Sequence, residues 1–276
     1  MSTNLVPNPP DYLNRREEHQ VPTSVDVLVP SLKGLSSEFV EHLRSRIPVH
    51  HVLTTSATGL ARARQVLIER VDTDWFAFVD DDVRLRSDWW SAVTGMIGPD
   101  IGGVEGLWSY LAGDKKVDDY SRAMARLSRM LRQESWRDRI DRAFTGDTLV
   151  RTEAVKNIRM PNIPLWEDEY VRRRVEKSGF KWLRTAEVVC DHLRSYNLKQ
   201  SNSTGKYGYY LGQLNVKTQI KRIAQLPVKI PFAVAYTGNI HAGTFAAKND
   251  LGVFKGVLQA YVQRKSGSPL YSLALP

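Results

Sequence analysis

Apolar and polar positions alternate along residues 23–200 in the pattern of a protein built from strands and helices. Short unbroken apolar runs, typical of strands that are buried on both faces, occupy residues 25–29, 49–53 and 75–79. Between them apolar residues recur at helical spacing, as Leu60, Ala63 and Leu67 do in the segment after Gly59. This succession predicts a parallel sheet with helices on both of its faces.

The same pattern continues to about residue 200. We predict further strands over residues 102–107 and 181–189, and a glycine turn with a strand and a short helix over residues 144–155. Helices are predicted from residue 36 or 37, and over residues 59–71, 87–97, 117–131 and 166–178. The expected fold class is therefore α/β, with a mostly parallel, Rossmann-like sheet flanked by helices.

Composition divides the chain into three parts. The 276 residues are 42% hydrophobic and 25% charged, which suits one large globular domain with an appendage. Residues 1–22 are polar and proline-rich and predict an extended arm, residues 23–200 predict the α/β domain, and residues 201–276 predict a helical C-terminal extension. We expect a cytoplasmic location, because the sequence lacks a signal-peptide core and a long apolar span. The single cysteine, Cys190, excludes an internal disulfide and is expected in the core.

The net charge of +9 is concentrated in the C-terminal extension. From Lys199 onward there are ten Lys or Arg and one acid, Asp250, whereas residues 1–198 contain 29 bases and 29 acids. Apolar residues such as Ile220 and Ile230 are interleaved with these bases. Such helices suit peripheral contact with an anionic membrane, but they equally suit packing on the α/β domain with solvated bases. The extension contains no recognisable motif for reading nucleic acid, so no nucleic-acid partner is expected.

Three consecutive aspartates, Asp80, Asp81 and Asp82, directly follow the apolar run at residues 75–79. Open α/β sheets bind ligands just beyond the carboxyl ends of their strands, which is where this run ends. Adjacent carboxylates repel one another, and hard oxygen ligands select Mg²⁺ or Mn²⁺. Since Mg²⁺ is usually held by one or two carboxylates together with substrate phosphates, we predict a metal-bound diphosphate here. A solvated acidic turn that caps the next helix is the alternative.

A second acidic group, Glu167, Asp168 and Glu169, occupies the first turn of the helix predicted over residues 166–178. Acids in a first turn also complement the helix dipole, by about 0.3–1 kcal/mol each, so a structural role is as well supported as a chemical one. His192 follows the strand predicted over residues 181–189. It is therefore a candidate to share a site with the three aspartates.

The order of these motifs resembles that of the GT-A-fold nucleotide-sugar glycosyltransferases, most closely their inverting family 2. The resemblance covers roughly residues 25–200 and rests on VDVLVP, GLARARQ, FAFVDDDV, FTGDTLVR, WEDE followed by VRRRVEKSGFKW, and DHLR. It implies a metal-dependent hexosyltransferase that inverts the anomeric carbon. The donor would be a nucleoside-diphosphate sugar, and the acceptor a hydroxyl or a lipid phosphate, on a glycan or a polyprenyl phosphate.

The resemblance also implies roles for individual residues. Asp80 and Asp82 correspond to the two acids of the DxD motif and, with His192, would hold Mg²⁺ or Mn²⁺. Of Glu167 and Asp168, the aspartate corresponds to the general base that deprotonates the acceptor hydroxyl, a role worth about 10² to 10⁴ in rate. Further contacts to the donor are assigned to Pro30, Thr54, Arg62, Asp80, Asp81, Arg194 and Lys199.

One position departs from the family pattern. Family members commonly carry an aspartate at the end of the second strand that contacts the nucleotide base, whereas residues 53–56 of this chain are LTTS. The identity of the donor base is therefore open.

Three other functions fit part of the pattern. A phosphohydrolase of the haloacid-dehalogenase type also uses DxD after an apolar strand, but expects Thr or Val where this chain has Arg84. A sugar nucleotidyltransferase expects a glycine-rich, basic loop after the first strand, where this chain has SLKGLSS. A non-catalytic carbohydrate- or membrane-binding protein on the same fold is the alternative from another class. Release of nucleoside diphosphate distinguishes the enzyme from the binding protein.

Overall fold

The structure is a computed structural model that describes residues 21–110, 115–130, 143–161, 163–193 and 198–265. Within these ranges the strands are β1 (Val25–Pro30), β2 (Val49–Thr55), β3 (Trp75–Val79), β4 (Val83–Leu85), β5 (Ile101–Tyr110), β6 (Asp147–Arg151) and β7 (Lys181–His192). The helices are α1 (Ser37–Arg46), α2 (Leu60–Ile68), α3 (Trp89–Thr94), α4 (Lys115–Met130), α5 (Thr152–Val155), α6 (Glu167–Lys177), α7 (Ser201–Tyr210), α8 (Val216–Ala224), α9 (Leu226–Thr237) and α10 (Ile240–Lys265). A short 3-10 helix, Leu198–Gln200, precedes α7.

The strands form one sheet in the order β2-β1-β3-β6-β5-β7-β4. β1 is parallel to both β2 and β3, and β5 is parallel to β7. β6 is antiparallel to β3 and β5, and β4 is antiparallel to β7. Five strands therefore run in one direction, and β4 and β6 run in the other. The predicted α/β class with a mostly parallel sheet is confirmed.

Helices cover both faces of the sheet, which explains the unbroken apolar runs of β1 and β3. Alternate residues of these strands enter two separate cores. Val27 and Ala77 pack in a core with residues of α1 and α3, whereas Leu28 and Phe76 pack in a core with residues of α2 and α6. Neither face of these strands meets water, so every position favours an apolar residue.

The structure differs from the predicted elements around the three aspartates. Residues 83–85 form the short strand β4, which pairs with the end of β7; three residues are too few for a periodic pattern. The helix predicted over residues 87–97 spans only Trp89–Thr94. α2 ends at Ile68 rather than at residue 71, and Leu60, predicted on its apolar face, is 36% exposed. Leu60 is exposed because the buried face of α2 includes Ala61 and Ile68 instead.

Beyond β7 the described chain is helical, as predicted for the extension. α10 packs against α4, α7, α8 and α9. α7 and α10 approach closely at two glycines, because a Cβ on Gly205 would lie 2.0 Å from the carbonyl oxygen of Val253, and one on Gly256 would lie 1.9 Å from that of Asn202. Among the described residues, no helix combines the length and the apolar character needed to cross a bilayer.

Candidate active site

The carboxyl ends of three neighbouring parallel strands lie at one edge of the sheet. Pro30 ends β1 at this edge and pairs with Thr55 of β2, the residue after Thr54. The pairing of Leu28 with Phe78 brings the end of β3, and with it Asp80, to the same place. This edge is where open α/β sheets bind ligands, so these three predicted donor residues lie where a ligand is expected.

Arg64 of α2 joins the two acidic groups. Its Nη1 donates hydrogen bonds to Glu167 (2.5 Å) and to Asp168, and its Nη2 donates to Asp80 (3.2 Å). The hydroxyl of Thr145 donates a further hydrogen bond to Asp168 (2.7 Å). The side chains of Arg64, Glu167 and Asp168 are buried, at 1%, 4% and 6% exposed. The end of β3 and the start of α6 therefore contribute to a single site.

The site contains more negative charge than its arginine neutralises. Burial alone would lower the pKa of Arg64, but Asp168, Asp80 and Glu167 together raise it above the ordinary value, so the guanidinium stays charged. Burial raises the pKa of Asp80, and the charges of Asp168 and Asp82 raise it further against the opposing effect of Arg64. A half-buried carboxyl group with a raised pKa beside two other acids favours the binding of another cation.

The residue just before α6 holds the first turn of this helix in place. Trp166, just before the helix, has φ 75° and ψ 14°, a left-handed conformation that costs a non-glycine residue roughly 1–3 kcal/mol. Its indole N–H donates to the carbonyl oxygen of Thr204 (3.0 Å), which holds this turn against α7.

The third acid of this turn, Glu169, differs from Glu167 and Asp168 in its partners. Glu169 accepts hydrogen bonds from Arg172 (2.6 and 2.9 Å) and has a structural role.

Asp82 and His192 meet at the end of the β4–β7 pair. Antiparallel pairing places Val83 opposite His192, and the imidazole Nε2 lies 3.7 Å from Oδ2 of Asp82. The rings of Trp108 and Phe144 lie 6.1 and 5.9 Å from the imidazole, measured between ring centroids. The structure thus brings two of the three predicted metal ligands together in an aromatic surrounding.

A further carboxyl group, Asp147, is buried opposite Val79 in the pairing of β6 with β3. The thiol of Cys190 donates to its Oδ2 (2.9 Å), while its Oδ1 is buried without a hydrogen-bond partner in the described part of the chain. Burial raises the pKa of Asp147 well above the ordinary value, and the charge of Glu105 adds to this. Burial likewise raises the pKa of the Cys190 thiol. Cys190 is a free, buried core residue, as expected.

Four further residues were assigned to the donor by resemblance, and the structure describes three of them. Asp81 accepts a hydrogen bond from the hydroxyl of Ser31 (3.0 Å), in the loop after β1. Arg62 is exposed on α2 and Lys199 is exposed in the 3-10 helix. Arg194 lies outside the described residues. Contacts of these residues with a donor stay predictions.

Sequence reasoning missed Arg64 and Thr145, although a signal for Arg64 was present. Ala61, Arg64 and Ile68 recur at spacings of three and four and so share one face of α2, which is buried. An arginine on a buried helix face is rare unless it is paired. Thr145 carries no comparable signal, because its role depends on a contact with Asp168 across the fold.

A buried acidic site at the carboxyl edge of an α/β sheet is typical of proteins that bind phosphorylated ligands through a divalent cation. Residues 32–159 match the family model described as glycosyl transferase family 2. This match over part of the chain confirms the resemblance to the family 2 glycosyltransferases and the predicted enzyme class. The match ends before Glu167, so the roles of Glu167, Asp168 and His192 stay predictions. No curated protein matches the chain.

Solved glycosyltransferase structures are similar to the chain at low identity. The mannosyltransferase PcManGT from Pyrobaculum calidifontis, in complex with GDP-Man and Mn²⁺, is 13% identical over 92% of this chain and 78% of that one, with a TM-score of 0.47. Glucosyl-3-phosphoglycerate synthase from Mycobacterium tuberculosis, in complex with Mn²⁺, UDP-Glc and phosphoglyceric acid, is 12% identical over 69% and 79%, with a TM-score of 0.45. S. aureus TarS 1–349 is 11% identical over 87% and 92%, with a TM-score of 0.44. These similarities are remote, and the assignment rests on the family match.

Proposed function

We propose that the protein is a metal-dependent inverting glycosyltransferase that moves a sugar from a nucleoside-diphosphate sugar to an acceptor hydroxyl or lipid phosphate. The observation that carries this proposal is the buried contact of one guanidinium, that of Arg64, with both acidic groups. A donor site and a proton acceptor must be held close together for such a transfer. The contact of Arg64 with Asp80 and Asp168 supports that arrangement.

The residues at the donor end fit a hard divalent cation. Asp82 and His192 would hold Mg²⁺ or Mn²⁺, with Asp80 beside them, since these are carboxylate oxygens and one imidazole nitrogen. Burial raises the pKa of Asp80, and the neighbouring charges of Asp168 and Asp82 raise it further; a cation bound beside these carboxylates would offset that negative charge. When bound, the cation supplies Lewis-acid stabilisation of the charge that develops on the departing diphosphate.

At the acceptor end Asp168 takes the proton of the incoming hydroxyl. Arg64 and Thr145 both bond to its Oδ1, so the orientation of the carboxylate is fixed before the acceptor arrives. The hydroxyl attacks the anomeric carbon while the bond to the diphosphate breaks, and the proton passes to Asp168. A single displacement of this kind inverts the anomeric configuration and needs no nucleophile from the protein.

The donor would lie along the carboxyl edge of β1, β2 and β3. Pro30, Thr54 and Asp81 would line the nucleotide, and Arg62, Lys199 and Arg194 are the cations proposed for its phosphates. The similar solved structures are complexes with GDP-Man or UDP-Glc. Since this chain lacks the usual base-contacting aspartate, both guanine and uracil nucleotides belong in the screen.

We further propose that the extension contacts an anionic membrane that carries a glycan or polyprenyl-phosphate acceptor. Part of it packs inward, since Phe245, Val253 and Val257 are buried. Other apolar residues are exposed: Ile220 is 53% exposed on α8 and Val228 is 61% exposed on α9. The exposed lysines Lys217 and Lys221 flank Ile220. Apolar and basic residues together on a surface favour binding to anionic lipid, and a cytoplasmic location stays a prediction.

A nucleotide-sugar screen tests the proposal. Thermal unfolding is followed with a panel of UDP-, GDP- and other nucleotide sugars, with Mn²⁺, Mg²⁺ or EDTA. A donor that binds the folded state alone raises the unfolding temperature by mass action. We expect at least one nucleotide sugar to do so with metal and not in EDTA. A panel without any metal-dependent shift would contradict the proposal.

A further inference from the structure

Four side chains suited to binding a transition metal converge at the amino-terminal edge of the sheet. Asp26 of β1, His50 and His51 of β2, and Asp72 before β3 each offer one ligand atom, and these atoms all lie within 4.8 Å of one another. Asp26 and Pro30 lie at opposite ends of β1, which puts the cluster about 13 Å from the carboxyl edge at about 3.3 Å per residue. The cluster is therefore separate from the candidate active site.

A β-bulge brings the two histidines together. Consecutive residues of a strand ordinarily point to opposite faces. The pairing of β1 with β2 shifts register between Val25 and Val27, so His50 and His51 both lie opposite Asp26. Both Nδ1 atoms are then 3.2 and 3.3 Å from Oδ1 of Asp26. Bulges are rare between parallel strands and commonly serve to re-aim a side chain.

The distances between ligand atoms match a tetrahedral site. Zinc bonds of about 2.0–2.1 Å in a tetrahedron place the ligand atoms about 3.3 Å apart. Besides the two contacts with Asp26, Oδ1 of Asp72 lies 3.3 Å from Nδ1 of His50 and 4.0 Å from Nδ1 of His51. His51 and Asp72 are 55% and 62% exposed. These two exposed side chains have the freedom to shorten the 4.0 Å distance between them.

The surroundings of Asp26 fix its carboxylate for this role. Asp26 is fully buried, and its Oδ2 accepts a hydrogen bond from the backbone N–H of Asp72 (3.0 Å). Its own backbone N–H donates to Oγ1 of Thr73 (3.1 Å). Oδ1 is thereby directed at the imidazoles, and outer hydrogen bonds of this kind orient metal ligands. Two carboxylates and two neutral imidazoles leave two negative charges, which one divalent cation neutralises.

The geometry points to a structural zinc site formed by Asp26, His50, His51 and Asp72. Two nitrogen and two oxygen ligands in a tetrahedron suit Zn²⁺, whereas Mg²⁺ and Mn²⁺ prefer octahedral oxygen sites. A bound ion would join β1, β2 and the turn before β3 at the edge away from the substrate. The site is independent of the proposed transferase function.

Calorimetric titration of the untagged 276-residue chain with zinc chloride tests the site. The protein is first treated with EDTA and dialysed, and the titration is run at pH 7.5. We expect one zinc per chain to bind at this cluster, with affinity reduced at least tenfold in the double variant His50→Gln/His51→Gln and in Asp72→Asn. Affinity should be unchanged in His241→Gln, a control at an exposed histidine of α10 outside the cluster.

The Asp82→Asn variant distinguishes zinc binding at this cluster from metal binding at the candidate active site. Zinc binding should persist in that variant, and Co²⁺ added to it should give the intense visible absorption of tetrahedral cobalt. The histidines are 41% and 55% exposed, so the double variant should fold, which circular dichroism checks. Equal zinc affinity in wild type and the folded double variant overturns the inference. If the double variant does not fold, a cobalt spectrum without tetrahedral absorption overturns it.

Discussion

Arg64 donates a hydrogen bond to the carboxylate of Asp168, which lies 104 residues further along the chain. A second hydrogen bond, to Asp80 (3.2 Å), connects the same guanidinium to the end of β3. One helix thereby fixes the distance between the acidic group after β3 and the acidic group that begins α6. We infer that Arg64 is a positioning residue, because it acts through these carboxylates.

Replacing Arg64 by methionine should destabilise the protein strongly. The change leaves Asp80, Glu167 and Asp168 close together without their cation, and breaking a buried ion network in this way costs about 3–5 kcal/mol. Arg64→Lys keeps the charge but not the planar fork, so it should restore the charge balance without all three contacts. Urea unfolding in EDTA measures both variants.

Arg62→Met is the matched control for this experiment. It removes an arginine two positions away on the same helix, but an exposed one, so its free energy of unfolding should change by no more than about 0.5 kcal/mol. Equal losses in the two methionine variants would show that the buried network does not stabilise the fold.

Asp82→Asn should abolish metal-dependent donor binding. Asp82 lies 3.7 Å from His192, and an amide oxygen is a poorer ligand for a hard cation than a carboxylate. The thermal shift that a nucleotide sugar gives with Mn²⁺ should therefore disappear. Asp88→Asn, at an exposed aspartate before α3, is the control and should keep the full shift. A normal shift in Asp82→Asn would assign the metal to other residues.

Asp147→Asn should change how stability depends on pH. Burial raises the pKa of Asp147, so the folded state keeps its proton at pH values where the unfolded state has released it. The free energy of unfolding of the wild type then falls as pH rises above the ordinary value of 3.8. Asparagine does not titrate, so the wild type should lose about 1.4 kcal/mol per pH unit relative to the variant, up to the folded pKa.

Urea unfolding in EDTA between pH 4.5 and 7 measures this difference. The other buried acids are common to both proteins, so their effects cancel in the comparison. A wild-type-minus-variant difference that is constant across this range would mean that Asp147 is ionised in the folded protein.

The exposed part of the extension should bind anionic vesicles. Ile220→Glu with Val228→Glu places acids on the surface that contains Lys217 and Lys221, so co-sedimentation with phosphatidylserine vesicles at low salt should drop at least tenfold. Val21→Glu changes an equally apolar residue that is 48% exposed before β1, and should sediment like the wild type. Wild-type protein that stays in the supernatant at low salt would eliminate membrane contact.

Patterns local in sequence predicted most of the fold. Burial produces the apolar runs of β1 and β3 and the helical periodicity of α2 and α6. These elements were therefore predicted close to their observed positions. The pairing of β4 with β7 was not predicted, because it depends on residues about a hundred positions apart in the chain.

The sequence predicted the acidic residues of the site but not the contacts that join them. Clustered carboxylates repel one another and therefore indicate a functional site. This is why Asp80, Asp82 and Asp168 were predicted. The contacts of Arg64, and the bulge that directs His50 and His51 at one carboxylate, arise only when separate elements meet. Tertiary contacts of this kind leave little or no trace in local composition.

Release of nucleoside diphosphate from the donor found in the screen tests the proposed mechanism most directly. Wild type is incubated with that donor, Mn²⁺ and a glycan or lipid acceptor fraction, beside Asp168→Asn and Glu167→Gln, with donor binding measured in each. We expect metal-dependent release by the wild type, at least a hundredfold slower release by Asp168→Asn with donor binding little changed, and a smaller loss in Glu167→Gln. Undiminished release by Asp168→Asn, or full activity in EDTA, would contradict the mechanism.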